Sequence, residues 1–292
     1  MNDELIVKAP AKINLFLKVL GKRDDGYHNI LSWFQTVSLY DILDFRKTGS
    51  AINLTISGLT GLPADSNNLV IKAAELMFRR YDLPGGLNIR LVKKIPIAAG
   101  LAGGSSDAAA VIFAIDKLYQ LNLSRREAAK IGLELGSDIP FFFSSGSAEV
   151  SGRGEIVKDL DLTLDYFLFL IKPPIAISTK QSYQSLNLDL TLENIGVKLP
   201  LNKDFETLVA TICNLSNDFE FGNFSTYPIL NKVRDLLLRS GASLTRMSGS
   251  GPTVFGLFKN VPEGGLKTPN DTQEDWDIHQ VRPVPSPLYI KE

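Results

Sequence analysis

Apolar and polar residues alternate near the start of the chain. In the stretch KINLFLKVL, the odd-numbered residues from 13 to 19 are apolar and fall on one face of an extended strand, while the even-numbered residues fall on the other. The turn-forming stretch GKRDDGYH follows, and NILSWFQTVSLYDILDFR then resumes a strand-like pattern. The pattern predicts a β-rich, largely antiparallel opening from residue 1 to about residue 57.

Helical periodicity replaces this alternation in the next part of the chain. The last of three predicted helices has a capping box, since Ser124 is followed three residues later by Glu127, and Gly136 stands where that helix would stop. The three predicted helices span residues 67–81, 106–119 and 125–135.

The hydrophobic pattern is interrupted between residues 160 and 177, where charged KDLDL precedes apolar YFLFLI and then KPP. We place a boundary there and expect an N-terminal domain of residues 1–161 and a C-terminal domain of residues 162–292. The second half combines a helix ending in ILNKVRDLLLRSG, a glycine-rich SGSGP and an apolar strand TVFGLF, while residues 261–277 are polar and loop-like. This mixture without a repeat predicts an α+β protein.

The composition is that of an ordinary globular protein. Of 292 residues, 44% are hydrophobic and 22% are charged, and the formal net charge is −1. This balance argues against binding to bulk nucleic acid, which a basic face would favour. The opening MNDELIVKAP lacks a leader pattern, and no apolar run approaches the roughly 20 residues that span a membrane, so we expect a cytoplasmic protein. The single cysteine, Cys213, allows no internal disulfide, and we expect it to be a small buried hydrophobe.

A glycine-rich stretch precedes the second predicted helix. In IPIAAGLAGGSSDAAA, residues 95–110, glycines and two serines stand between an apolar entry and an alanine-rich run. Glycine is costly to order, and such a loop at the start of a helix presents several backbone N–H groups and the positive end of the helix dipole to one point. The stretch predicts a phosphate-binding loop, and a plain connection with a serine cap is the alternative.

The common nucleotide-binding motifs do not account for this loop. The sequence has no G-x-x-x-x-G-K-[ST], no G-x-G-x-x-G after a strand, and neither the H-R-D nor the D-F-G motif of protein kinases. P-loop, Rossmann and protein-kinase interpretations are therefore excluded.

The order of several motifs resembles the GHMP small-molecule kinases. PIAAGLAGGSSDAA is similar to their P-x-x-x-G-L-x-G-G-S-S loop, and PAKINLFLKVLGKRDDGYH, GSDIPFF and MSGSGPTVF are similar to one branch of the family. That branch phosphorylates the 2-hydroxyl of a cytidyl diphosphate-linked polyol in non-mevalonate isoprenoid biosynthesis. The resemblance implies a two-domain α+β architecture, with an N-terminal nucleotide-binding α/β domain and a C-terminal ferredoxin-like domain.

The resemblance also implies that ATP is the co-substrate and that Mg²⁺ neutralises its phosphates. Ala102 departs from the family, in which a glycine is common at this position, and we expect its methyl group to be tolerated at a negative φ. Asn68 would lie near the adenine, although a helix cap explains it equally well. The implied ATP-binding residues are Asn68, Pro96, Ile97, Ala98, Ala99, Gly100, Leu101, Ala102, Gly103, Gly104, Ser105 and Ser106.

The catalytic roles implied by the resemblance fall on Lys12 and Asp138. Asp138 would accept the proton of the substrate hydroxyl, and Lys12 would offset charge on the transferring phosphoryl group. From the residues alone, Asp138 is a turn or cap residue before a proline that holds Ile139 extended, and Lys12 with Asn14 could lie on a solvated face.

Acceptor binding is implied for four residues. Asn14 would contact a substrate hydroxyl, and Tyr27 with His28 would border the cytosine, with His28 hydrogen-bonded to the base edge. Tyr183 would cover the other side of the ring, where stacking on a flat base is favourable. A structural role after the turn is the alternative for His28. Residues 249–251 would close the site from the second domain.

Two other functions remain open on this sequence. Another GHMP kinase would act on mevalonate, homoserine or a sugar, and Tyr27, His28 and Tyr183 argue against it. A non-catalytic ligand-binding or RNA-binding module could use the same fold, and Lys12 with Asp138 argues against it. The expected partner is therefore a small cytidyl diphosphate substrate, with no nucleic acid and no membrane.

Overall fold

The computed structural model describes residues 3–59, 61–160, 165–186, 204–266, 275–285 and 288–290. The predicted boundary at residues 161–162 and part of the predicted loop 261–277 lie outside the described residues. In chain order the elements are β1 (Glu4–Lys22), β2 (His28–Thr48), β3 (Ile52–Gly58), α1 (Leu69–Tyr81), β4 (Gly86–Lys93), α2 (Gly103–Tyr119), α3 (Arg125–Leu133), a 3-10 helix (Ile139–Phe143), β5 (Ser147–Gly152), β6 (Ile156–Asp159), β7 (Phe167–Lys172), α4 (Thr179–Gln184), α5 (Phe205–Cys213), α6 (Phe219–Thr226), α7 (Ile229–Arg239), β8 (Leu244–Met247), β9 (Val254–Phe258), β10 (Asp277–Val281) and β11 (Tyr289–Ile290).

The first sheet is built around the long antiparallel pair of β1 and β2. Within the described residues the strands run β11–β1–β2–β4–β3, and β5 pairs with both β2 and β6. Among the described strands of this sheet, only β3 and β4 are parallel to each other. The β-rich, largely antiparallel opening is therefore confirmed, and β11 returns from the end of the chain to the edge of this sheet.

The alternation predicted for β1 is interrupted at Leu15. Asn14 and Phe16 pair with adjacent residues of β2, so Leu15 is an extra residue in the ladder, as in a β-bulge. Leu15 and Phe16 are both buried, and so are Lys12 and Asn14. A solvated face for Lys12 and Asn14 is therefore wrong, because other parts of the molecule cover both faces of β1.

The helices lie close to their predicted positions, with differences at their ends. The side chain of Asn68 accepts a hydrogen bond from the Val70 N–H at 2.9 Å and caps α1, which begins two residues later than predicted. Ser124 and Glu127 form the predicted capping box of α3, which ends at Leu133, two residues early. α2 begins at Gly103, three residues early, so two of the loop glycines form its first turn.

The second sheet is antiparallel, in the order β10–β7–β9–β8, and α7 packs against β8 and β9. Tyr166, Leu168 and Phe255 from this half share a buried cluster with Ile13 and Leu15 of β1. This common core places β1 between the two halves. The two-domain α+β architecture is confirmed.

Two further observations concern the rest of the chain. Cys213 is exposed at the end of α5, where its thiol donates to the carbonyl of Ala210 at 3.2 Å, so the expectation of a buried hydrophobe is wrong. Among the described residues, no helix has both the length and the apolar character that a membrane span requires.

Candidate active site

The loop before α2 departs from ordinary backbone geometry. Ala98, Gly100 and Ala102 have φ values of 50°, 75° and 54°, in the left-handed region. The condition of a negative φ, under which the methyl group of Ala102 was expected to be tolerated, is therefore not met, and Ala102 holds a strained backbone conformation that a glycine would adopt freely. At Gly100 a side chain has no room, since a Cβ would lie 2.1 Å from the carbonyl oxygen of Ser248.

The start of α2 has the character of an anion site. Its cap residue is Ala102, and within residues 3–59, 61–160 and the other described ranges no side chain accepts from the first-turn N–H groups, so the serine-cap alternative is wrong. Ser106 is buried, and its hydroxyl oxygen has no hydrogen-bond partner among the described residues. Free N–H groups at the positive end of a helix dipole favour a phosphate.

A cavity of about 330 Å³ opens beside this helix start. Asn68 lines it, but its side-chain oxygen caps α1 and its Nδ2 donates to the carbonyl of Pro63 at 2.7 Å, so its role as a cap is confirmed and its role toward ATP stays a prediction. The residues predicted for ATP that line the cavity are Asn68, Pro96, Ile97, Ala98, Ala99, Gly100, Ala102, Gly103 and Gly104.

The three other predicted ATP-binding residues lie next to the residues that line this cavity. Leu101 is buried, and its carbonyl accepts a hydrogen bond from the Lys12 N–H at 3.1 Å, which ties the loop to β1. Ser106 is buried, whereas Ser105 is partly exposed on the first turn of α2. Their contribution to ATP binding stays a prediction.

A second cavity, also of about 330 Å³, lies on the other side of the loop. Ala98, Gly100 and Ala102 line both cavities, so the two spaces share the loop as a wall. Lys12, Asn14, Asp138 and Tyr183 line the second cavity only. The loop thus separates a space suited to a nucleotide from a space that holds the predicted catalytic pair.

Lys12 and Asp138 face each other in the second cavity. The Lys12 Nζ is 3.6 Å from Asp138 Oδ2, donates to Asn14 Oδ1 at 2.7 Å, and lies 4.2 Å from the centre of the Phe34 ring. Burial lowers the pKa of Lys12, and the charge of Asp138 opposes that effect. The pair provides a cation fixed beside a carboxylate, which is the arrangement that phosphoryl transfer to a hydroxyl needs.

Asp138 is the more accessible member of the pair. Its side chain is 33% exposed, and it makes no capping hydrogen bond although it precedes the 3-10 helix. Ile139 begins that helix, so the extended conformation expected for it before Pro140 is wrong, because the proline is accommodated in the first turn. A carboxylate that caps nothing and borders a cavity is available to a substrate hydroxyl.

The predicted base-binding side chains do not enclose an open slot. The rings of His28 and Tyr183 stack on each other, with centroids 4.5 Å apart and an interplanar angle of 14°. Tyr27 is 55% exposed, and the Arg153 guanidinium lies 4.8 Å from its ring centre. A base between His28 and Tyr183 would require the two rings to separate, since each stacked contact takes up about 3.5–4.0 Å between carbon atoms.

Burial and nearby charge shift the pKa values of this ring pair. Burial lowers the pKa of His28, and the charge of Lys22 adds to the effect, so both favour the neutral imidazole. Burial raises the pKa of Tyr183, and the charge of Asp138 adds to it. A neutral imidazole has one donor and one acceptor nitrogen, which suits the edge of a base.

The glycine-rich segment after β8 closes the second cavity, and Gly249, Ser250 and Gly251 are all part of its lining. The Ser248 hydroxyl donates to the carbonyl of Gly100 at 2.9 Å and accepts from the Asn14 N–H at 3.2 Å. The segment therefore joins both the loop and β1, and the location predicted for residues 249–251 agrees with this geometry.

Comparison with known proteins identifies the family. Models of the GHMP kinases N terminal domain and of the GHMP kinases C terminal match residues 68–146 and 198–265. A 4-diphosphocytidyl-2-C-methyl-D-erythritol kinase of Thermoanaerobacter pseudethanolicus is 42% identical over 87% of this chain and 88% of its own. One of Syntrophus aciditrophicus is 43% identical over 88% of this chain and 90% of its own. The chain belongs to the GHMP kinases.

Solved structures agree with this assignment. The crystal structure of 4-(cytidine 5'-diphospho)-2C-methyl-D-erythritol kinase superposes with a TM-score of 0.77 at 29% identity, over 95% of this chain and 99% of that chain. A homoserine kinase from Cytophaga hutchinsonii gives a TM-score of 0.79 at 19% identity, over 100% of this chain and 98% of that chain, and shows the fold alone. The protein is thus a small-molecule kinase.

One feature of this GHMP kinase went unnoticed in the sequence, because it joins three distant segments. Lys93 at the end of β4 donates to Asp41 Oδ2 at 2.5 Å and to Asp107 Oδ2 at 2.6 Å, and all three side chains are buried. Asp41 Oδ1 accepts from the N–H groups of Lys94 and Ile95 at 2.6 and 2.9 Å. The ion triad of Lys93, Asp41 and Asp107 therefore connects the start of the glycine-rich loop to α2, the helix that follows the loop.

The charges of the triad affect one another strongly. Burial raises the pKa of Asp107 well above its ordinary value, the Lys93 charge opposes this, and the Asp41 charge adds to it. Burial would lower the pKa of Lys93, but the charges of Asp107 and Asp41 raise it. Arg153, which lines the second cavity, is another cation that sequence patterns did not single out, because it lies in a turn between β5 and β6.

Proposed function

We propose that this GHMP kinase transfers the γ-phosphoryl group of ATP to the 2-hydroxyl of 4-diphosphocytidyl-2-C-methyl-D-erythritol. The observation that carries the proposal is the pair of Lys12 and Asp138 in a cavity that shares the loop wall with a second cavity at the start of α2. Relatives more than 40% identical over most of the chain bear the name of this activity.

The reaction would take place where the two cavities meet. The substrate hydroxyl oxygen attacks the γ-phosphorus, the bond from that phosphorus to the β–γ bridging oxygen breaks, and ADP leaves. Asp138 takes the hydroxyl proton on a carboxylate oxygen. The Lys12 ammonium, held by Asn14, offsets the charge on the transferring group, while loop N–H groups hold the phosphates of ATP.

Mg²⁺ fits the oxygen atoms at the start of α2. Asp107 Oδ1 and Ser106 Oγ are buried and have no hydrogen-bond partner in the described part of the chain, and Mg²⁺ prefers one or two carboxylates together with substrate phosphates. In the part of the chain that the structure describes, no three His, Cys, Asp or Glu residues cluster as a metal cage. When bound, the ion would neutralise phosphate charge, and these two oxygens would hold it.

The cytidyl specificity is supported by the aromatic side chains of the acceptor cavity. Tyr183 lines the cavity, His28 stacks on it, and Phe219 meets the Tyr183 ring edge-on at 4.8 Å. A mevalonate, homoserine or sugar acceptor has no flat base to place against these rings. A non-catalytic module has no use for a buried lysine beside a carboxylate.

An ADP-release assay with a panel of acceptors tests the proposal. We expect turnover with the cytidyl substrate and little with mevalonate, homoserine or sugars at equal concentration. Lys12→Met should abolish turnover without loss of folding, as measured by thermal melting. Preference for a non-cytidyl acceptor would reject the assignment while leaving the chain a GHMP kinase.

A further inference from the structure

A third cavity lies in the second half of the molecule, between α6, α7 and β8. Its volume is about 570 Å³, within the range of roughly 300–1,000 Å³ that small-molecule sites occupy. It shares no lining residue with either cavity of the candidate active site. The proposed phosphoryl transfer therefore leaves this cavity without a role.

The charged groups in the wall of this cavity favour an anion. Arg234 and Arg246 contribute two guanidinium groups, and Glu220 is the only acid among the described lining residues. Both Glu220 oxygens already accept hydrogen bonds, from Arg246 Nη1 at 3.2 Å and from the Met247 N–H at 2.6 Å. An excess positive charge therefore remains, and Asp235 offsets it only through an exposed contact of 3.6 Å with Arg234.

Arg246 has a donor that the protein leaves unused. Its Nη2 donates to the carbonyl of Ile212 at 2.9 Å, whereas its Nε is buried and has no partner among the residues that the structure describes. A buried N–H group without an acceptor costs free energy, and it belongs to a guanidinium group of the cavity lining, to which an oxyanion forms charge-assisted hydrogen bonds. The guanidinium is thus fixed in place by protein contacts before any ligand binds.

The remaining lining consists of two aromatic residues, Phe221 and Phe224, and of the polar residues Ser225, Asn231 and Thr245. Phe221 is 89% exposed, the largest value among the exposed large hydrophobic side chains in the described residues, and Phe224 carries the Arg234 guanidinium 5.3 Å from its ring centre. An aromatic ring left in water beside two cations is suited to a ligand that joins an apolar ring to an anionic group. The lining residues therefore favour a ligand that combines an aromatic ring with an anionic group.

The helix α6 connects this cavity to the acceptor cavity. Phe219, next to Glu220, packs edge-on against Tyr183, and Asn223 Nδ2 donates to the carbonyl of Ser250 at 3.0 Å. Glu220 also holds the N–H of Met247, immediately before the glycine-rich segment that lines the acceptor cavity. A ligand bound to Arg246 would therefore be connected through Glu220 to residues that line the acceptor cavity.

We propose that this cavity is an effector site for a small aromatic oxyanion, a carboxylate or phosphate monoester, whose binding changes the affinity of the acceptor cavity. The first claim, that the cavity binds the anion (the binding half), is independent of the proposed function. The second claim, that binding changes the affinity of the acceptor cavity (the coupling half), rests on it. Because coupling between two ligands is reciprocal, the acceptor substrate must change the affinity of the anion by the same factor.

Calorimetry with phenyl phosphate tests the binding half, with a non-hydrolysable ATP analogue at saturation so that the loop beside α2 is occupied. We expect Arg234→Gln to weaken binding about tenfold and Phe221→Ala about threefold to tenfold. Arg239→Gln is the matched control, because Arg239 is an exposed arginine on the same helix outside the cavity. Benzoate distinguishes a carboxylate from a phosphate ligand.

Several results would overturn the site. Absence of binding up to about 10 mM phenyl phosphate, or equal weakening by Arg239→Gln, removes it. Inorganic phosphate that binds as tightly as phenyl phosphate removes the aromatic component. If Phe221→Ala changes the oligomeric state while phenyl phosphate binding persists, Phe221 belongs to an interface between copies of the chain instead.

The coupling half is tested by the affinity of the cytidyl substrate with and without saturating phenyl phosphate. A change of about fivefold or more, lost in Arg234→Gln, supports the effector role. An unchanged substrate affinity in a protein that binds phenyl phosphate at this cavity rejects it. Failure of the cytidyl substrate to bind at all would reject the proposed function, while the binding result for phenyl phosphate would stand.

Discussion

Asp138→Asn is the substitution that separates the roles of the catalytic pair. Asparagine is nearly isosteric and keeps an acceptor oxygen beside Lys12, but it cannot take a proton at neutral pH. If Asp138 is the general base, turnover falls by about 10²–10⁴-fold, or roughly 3–5 kcal/mol in the barrier, while both substrates bind almost normally.

The electrostatic part of this change follows from the geometry. Two unit charges separated by the 3.6 Å between Lys12 and Asp138 attract by about 1 kcal/mol in water and about 4–5 kcal/mol at an effective dielectric constant of 20. Because the Asp138 side chain is 33% exposed, screening places the loss toward the lower figure. Loss of this attraction alone is therefore smaller than the expected loss of catalysis.

The same substitution has a consequence for pH dependence. Burial lowers the pKa of Lys12, and the Asp138 charge works against that lowering. A lysine is charged below its folded pKa, so removal of the carboxylate charge moves its deprotonation to lower pH. We expect activity of Asp138→Asn to decline at a lower alkaline pH than activity of the unmodified protein.

Single-turnover rates with the cytidyl substrate measure the chemical step without product release. Asp275→Asn, at an exposed aspartate distant in sequence from the site, is the matched control and should leave the rate unchanged. If Asp138→Asn keeps most of the single-turnover rate while Lys12→Met loses it, Asp138 only orients the hydroxyl and the assignment of the base is wrong. That result would fit a loose transition state needing little base assistance.

Three further substitutions test other parts of the site. Tyr183→Ala should weaken the cytidyl substrate about five- to 150-fold without changing ATP affinity, and an unchanged acceptor KM in a folded variant would exclude Tyr183. Gly103→Val should lower both ATP affinity by calorimetry and the melting temperature, because a Cβ there would lie 2.9 Å from Lys93 Nζ. Gly104→Ala is its control, since its nearest neighbour would be 3.7 Å away, and equal effects of the two would contradict the reasoning. Because the pKa of Asp107 is raised by burial, its contribution to the free energy of unfolding declines as pH rises from about 4 through the folded pKa. Asp107→Asn lacks this decline, so urea unfolding should show the variant gaining stability relative to the unmodified protein over that range, and a constant difference would refute it.

Local sequence determined most of the secondary structure. The capping box of Ser124 and Glu127 and the cap at Asn68 involve residues two or three positions apart, and both formed as their residue types predict. The helices predicted from the hydrophobic periodicity also formed, because the apolar face of each one packs against the core. The glycine-rich loop and the motif order were sufficient to indicate the family before any contact between the motifs was known.

Tertiary contacts decided the details that set the chemistry. The bulge at Leu15 and the left-handed backbone of Ala102 come from packing against other segments, and no residue pattern near them encodes those contacts. Likewise, nothing in the periodicity of β4 indicates that Lys93 has two buried carboxylate partners.

The position of the site depends on both the local sequence and the tertiary contacts. Sequence supplied Lys12, Asp138 and Tyr183 as residue types suited to phosphoryl transfer and to base recognition. Their distances follow from the shared core of the two sheets and from the stacking of Tyr183 on His28, which are separated by more than 150 positions in the chain. Side-chain chemistry is a local property, whereas the approach of distant side chains is fixed by the free energy of packing the whole fold.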